Sequence, residues 1–148
     1  KIKAGKINFD INNMKGKFAQ AFVGREPLKD ANFVDWDGKS YTLNQTSVDN
    51  IRKEYNLDTV DIVHSDIQGA EYDMLLGSLD SIEEQKINYF FISTHGQSIH
   101  EYCMRFLKNK NFYILCSHTE EESYSADGLI VASQRPGKEI QISKRGCE

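Results

Sequence analysis

The sequence predicts an α/β domain: a mostly parallel sheet with helices on its faces, closed by an antiparallel hairpin at the C-terminal end. Three observations carry this. Strand-sized apolar runs alternate with stretches whose apolar residues recur every three or four positions, the pattern of βαβ units. The last two runs, around Ile114 and Ile130, have no helical pattern between them, so they pair as a hairpin. Finally, 148 residues with 39% hydrophobic and 27% charged content suit one globular domain with its own core.

Taken in order, Ala4, Ile7 and Ile11 mark a helix ending near Asn12 and Asn13. Residues 17–23 read as a strand stopped by Gly24, and 25–32 as loop. Residues 33–36 and 39–43 flank Asp37-Gly38, a hairpin signal. Thr46 and Asp49 have capping-box spacing, and Val48, Ile51 and Tyr55 share the helical face behind them. A strand over 59–64 leads into a helix from Ala70 to about Glu84. A second buried strand, 87–93, ends in Thr94-His95-Gly96. Ser98 and Glu101 then cap a helix whose apolar side is Ile99, Cys103, Phe106 and Leu107. Phe112, Ile114 and Cys116 alternate as a half-buried strand, and residues 129–132 form the last one.

Composition narrows the function classes. The net charge of −4 and scattered basic residues give no nucleic-acid surface. Lys1, Lys3, Lys6, Lys15 and Lys17 read as a solvated helix face. No apolar window is long enough to span a bilayer. Cys103, Cys116 and Cys147 form an odd set without CxxC spacing. The first two read as small buried hydrophobes, and free thiols fit a reducing, cytoplasmic setting.

The most informative stretch is His64-Ser65-Asp66-Ile67-Gln68-Gly69-Ala70-Glu71, a strand, a polar turn and a helix start. In open α/β sheets, ligands bind just beyond the carboxyl ends of the strands. Two carboxylates, an amide and a glycine are crowded at such a point.

This segment, with the strand before it, resembles the signature of FkbM-type S-adenosylmethionine-dependent methyltransferases, a hydrophobic strand followed by a D-x-(E/Q)-G-x-E turn. Asp66, Gln68, Gly69 and Glu71 occupy the matching places. Thr46-Ser47-Val48-Asp49 is similar to the family's segment before a helix, Ile92 to Gly96 falls where its next strand ends in a polar group, and Ser123 to Leu129 fits its last hairpin. The resemblance implies the class I methyltransferase fold, with its terminal antiparallel hairpin, and S-adenosylmethionine as cofactor. It implies an acceptor hydroxyl on a sugar, glycan or small natural product, and an adenine contact near Gly24 and Glu26. The family's glycine-rich cofactor turn and first two strands are absent, so more residues are expected before Lys1.

Methyl transfer from a sulfonium requires the acceptor to be held in line and to lose a proton. His64 and His95 are candidate bases, since imidazole titrates nearest to neutral pH. Asp66 is a further catalytic candidate, as base or as orienter of acceptor and cofactor. Gln68 and Gly69 are candidate cofactor contacts, the first through its amide and the second through close backbone approach. A metal reading uses Asp66, Glu71 and His95 as hard donors. Structural readings stand beside these. Glu71 suits the first turn of a helix, His64 fits a core histidine, Trp36 and Tyr41 fit cross-strand packing, and His100 and His118 fit surface positions. The alternative to an enzyme is a non-catalytic binding module derived from a methyltransferase core.

Overall fold

The computed structural model describes residues 2–34, 38–123 and 125–140. Trp36, Asp37, Tyr124 and Cys147 lie outside them. In chain order the elements are α1 (Ile2–Ile11), β1 (Phe22–Val23), β2 (Leu28–Val34), β3 (Ser40–Thr46), α2 (Val48–Glu54), β4 (Val60–Ser65), α3 (Glu71–Leu76), α4 (Leu79–Glu83), β5 (Ile87–Thr94), α5 (Gln97–Asn109), β6 (Tyr113–His118) and β7 (Gly128–Ser133). No helix among the described residues is long and apolar enough to cross a membrane.

The molecule is α/β, but the strands divide between two sheets, ordered β4-β5-β7-β6 and β1-β3-β2. β4 and β5 pair in parallel, with Val63 opposite Phe90 and Ser65 opposite Ile92. β7 is antiparallel to both β5 and β6. The terminal hairpin is therefore present, with its last strand inside the sheet. Its run Leu129-Ile130-Val131-Ala132 is apolar on both faces, the composition of an interior strand. The expected single, mostly parallel sheet is corrected. Only the β4–β5 pairing is parallel in the four-stranded sheet, and the β2–β3 hairpin, beginning already at Leu28, forms the second sheet with the short β1.

The main core lies on one face of the four-stranded sheet. Phe90, Ile92, Ile130 and Ala132 meet Met74 and Leu75 of α3 and Cys103 and Leu107 of α5, with Val48 and Ile82 added from α2 and α4. Each fully buried side chain of Leu or Phe size contributes roughly 1.5–3 kcal/mol relative to exposure. Among the described residues no helix packs on the other face. Leu115, Cys116 and Val131 form a small cluster there with Phe91 and Leu129, while Ile62, Tyr89 and Tyr113 remain exposed. Burial raises the Cys116 thiol and pushes that of Cys103 up to about 12, so both behave as the small hydrophobes the sequence implies.

The expected helix over 70–84 is two helices, broken at Gly77. A Cβ there would lie 2.2 Å from the carbonyl oxygen of Gly24 and 2.9 Å from the Cβ of Ser47, so the chain must stay bare where α3 meets the three-stranded sheet. Asp49 crosses to the start of α4, where its carboxylate accepts from the amides of Asp80 (3.0 Å) and Ser81 (2.9 Å). Asp49 is thus no capping-box partner of Thr46. Ser47 is the cap of α2, its hydroxyl accepting from the Asn50 amide, because Thr46 is committed to pairing with Val23. Gly96, rather than Ser98, is the N-cap of α5.

His100 is not a surface residue. It is buried, with Nδ1 2.9 Å from the Thr94 hydroxyl and Nε2 3.0 Å from that of Ser117. Burial lowers its pKa from the ordinary value of 6.5.

Two expectations follow from this packing. Gly77→Ala overpacks the junction and should cost about 1–3 kcal/mol, read from the urea midpoint; an unchanged midpoint would mean the junction yields freely. For His100 the folded pKa lies below the unfolded one, so protonation favours the unfolded chain. Its stabilising contribution is complete above about pH 6.5 and is lost as the pH falls through the folded value. The urea midpoint should drop between about pH 7 and pH 5, and drop less in His100→Gln; equal slopes would contradict the assignment.

Candidate active site

Parallel pairing sets β4 and β5 side by side, so the residues just after them, Asp66 and His95, emerge at one rim. The turn between β4 and α3 is tight. Gln68 has φ of 54° and Gly69 has φ of 104°, and only glycine adopts the second value readily. This turn aims backbone amides inward: the N–H groups of Gly69 and Ile67 donate to Glu71 Oε1 at 3.1 and 3.4 Å. Glu71 is fully buried, and its Oε2 has no hydrogen-bond partner among the described residues.

His95 is the centre of the site. Its Nδ1 lies 2.7 Å from Glu71 Oε1. An ionised carboxylate only accepts, so Nδ1 carries the proton. Nε2 then offers its lone pair and accepts from the Gln68 amide nitrogen at 2.8 Å. Asp66 Oδ1 and Asp127 Oδ1 stand 3.4 and 3.3 Å from the same Nε2. The ring is largely enclosed, whereas the Asp66 side chain is half exposed, so the group faces outward at the rim.

Asp127 is the member that residue-by-residue reading missed. β7 runs antiparallel beside β5, with Gly128 opposite Thr94, so the residue before the one strand meets the residue after the other. The available signal was the Asp127-Gly128 pair at the start of the last apolar run. Behind the site, Thr94 is tied to His100 and through it to Ser117, joining the ends of β5 and β6 beneath α5.

The model of the methyltransferase FkbM domain matches residues 3–114, well over half the chain. This chain belongs to the FkbM methyltransferase family. No curated protein and no solved structure matches it.

In this FkbM domain, Asp66, Gln68, Gly69, Glu71 and His95 of the sequence-predicted site come together on one rim. His64 does not join them. It is exposed, pairs in register with Phe91, and so lies on the sheet face opposite Phe90 and the helices. Among the described residues it makes no hydrogen bond with the group. Gly24 and Glu26 also lie apart. The Gly24 amide donates to the Thr46 carbonyl at 2.9 Å, and the residue packs against Gly77. Gly77 is six positions beyond Glu71, roughly 9 Å along a helix. Glu26 is exposed, and its carbonyl accepts from the Gln45 side chain at 2.8 Å. Of the metal-donor set Asp66, Glu71 and His95, Glu71 holds the opposite ring nitrogen, and Asp127 stands on the Nε2 side instead. A hollow of about 430 Å³ lies elsewhere, lined by Tyr72, Tyr102, Arg105, Phe106, Asn109 and Lys110.

The Glu71–His95 hydrogen bond should be visible directly. Nitrogen NMR should show His95 protonated on Nδ1, with Glu71→Gln keeping that tautomer. Glu71→Ala should lose it and cost about 1–3 kcal/mol, because buried donors are left unpaired. A proton on Nε2 in the unsubstituted protein would contradict this geometry.

Proposed function

We propose that this protein is an S-adenosylmethionine-dependent O-methyltransferase that acts on a hydroxyl of a sugar, glycan or small natural product. The observation that carries the reading is His95, locked by buried Glu71 so that Nε2 points out between Asp66 and Asp127. Family membership supports methyl transfer over a non-catalytic module. The cofactor brings a cationic sulfonium and an ammonium, and a rim of carboxylates with no Lys or Arg paired to it among the described residues fits such a ligand. When bound, it supplies an electrophilic methyl group.

The residues of this chain do the rest. Asp66 and the Gln68 amide would hold the cofactor's cationic end and orient the acceptor. The backbone of Gly69, with no side chain to intervene, lets a ligand come close. The acceptor hydroxyl would sit against His95 Nε2, which would take up its proton. Glu71 fixes the correct tautomer and stabilises the imidazolium that forms, the logic of a carboxylate behind a catalytic histidine. The acceptor class rests on the family resemblance and on the polar character of the rim.

The test is transfer of labelled methyl from S-adenosylmethionine by the full-length protein to a panel of hydroxylated sugars and natural products. Transfer should fall about 10²–10⁴-fold in His95→Ala, with cofactor affinity little changed, whereas His64→Ala should retain most of the activity. Absence of cofactor binding, or full activity in His95→Ala, would overturn the reading.

A further inference from the structure

Charge at the rim is unbalanced. Asp66, Glu71 and Asp127 all surround His95, and each has the imidazole as its ion-pair partner among the described residues. Three carboxylates face at most one positive charge. His95 Nε2 and the oxygens of Asp66 and Asp127 converge on the same space, where the Gln68 amide nitrogen lies 2.8 Å from Nε2 and 3.4 Å from Asp66 Oδ1. That amide is a neutral donor on an exposed side chain, and a cation in its place would balance the carboxylates more fully.

We propose that Asp66, His95 and Asp127 form a binding site for a divalent cation, each giving one donor atom. The three donor atoms lie within 4.8 Å of one another, with the two carboxylate oxygens 3.4 and 3.3 Å from Nε2; two bonds of about 2.2 Å reach at most about 4.4 Å across a shared ion, so the carboxylates need close in by only a few tenths of an ångström. A second observation supports this. Glu71 is fully buried and aimed at the group through Oε1, and its other oxygen is unpartnered. A carboxylate that holds one ring nitrogen and leaves the other to face a ligand is the usual outer support of a metal-ligating histidine; here the Gln68 amide occupies that second nitrogen and would give way to the ion. One imidazole and two carboxylates favour a first-row ion such as Mn²⁺ over Ca²⁺, which prefers oxygen donors alone. Three ligands leave positions open to water or to a ligand oxygen.

The binding site stands on geometry alone. Its consequence for chemistry rests on the proposed function: a hydroxyl oxygen in an open position is acidified by the cation. His95 then serves as a ligand, and the proton leaves to water in place of direct transfer to the ring.

The experiment is a Mn²⁺ titration of the full-length protein at about pH 8, since metal ligands bind in their deprotonated forms, followed by the loss of the free-ion paramagnetic resonance signal. One ion per chain should bind without cofactor or acceptor present. Asp127→Asn and His95→Gln should abolish binding, Glu71→Gln should weaken it about 10–100-fold, and Asp61→Asn on exposed β4 should leave it intact. No stoichiometric binding, or unchanged affinity in Asp127→Asn, overturns the site. Methyl transfer is then scored separately. Transfer by a protein that binds no Mn²⁺ removes this inference and leaves the function standing, while Mn²⁺ binding without transfer does the reverse.

Discussion

The hydrogen bond between Glu71 and His95 organises everything at the rim. A buried carboxylate is costly unless it is engaged, and Glu71 offsets part of that cost through Oε1, which meets one ring nitrogen and two turn amides. Those contacts require the 66–70 turn to fold inward, α3 to begin at Glu71, and β5 to end one residue before His95. Strand pairing, turn conformation and helix start are therefore adjusted to one another through a single side chain.

The fold supplies the remaining convergence. Parallel pairing carries Asp66 and His95 to one end of the sheet, and the antiparallel return of β7 brings Asp127 there from far along the chain. The result is a nitrogen whose proton content and direction are set from behind and whose reactive lone pair faces two acids. Such a centre suits proton uptake or cation capture, and both uses depend on the same tautomer.

Much of this was legible in the residues. The periodicities around Ile62, Phe90, Cys103 and Ile130 gave strands and helices close to their observed places, and the polar turn beginning at Asp66 pointed to the right rim. What escaped depended on three-dimensional neighbours. Gly77 reads as a tolerated glycine inside a helix until the Gly24 carbonyl is placed against it. Asp49 reads as a local cap until α4 is brought alongside. His100 lies on the apolar side of α5, but its burial becomes evident only once Thr94 and Ser117 are there to satisfy both nitrogens. Asp127 could not be assigned without knowing that β7 lies beside β5, a matter of strand order rather than of local pattern. His64 follows its alternation onto the helix-free face.

Gln68 holds an uncommon left-handed backbone while its amide reaches Nε2 of His95. These two demands pull mutation in different directions. Glycine or asparagine would relax the main chain, yet each shortens or deletes the arm that touches the imidazole. Valine, isoleucine and threonine would fail on both counts, because branching at Cβ is poorly tolerated at positive φ. The neutral path open to this position is accordingly narrow, and genetic drift there would register as altered reactivity before it registered as misfolding.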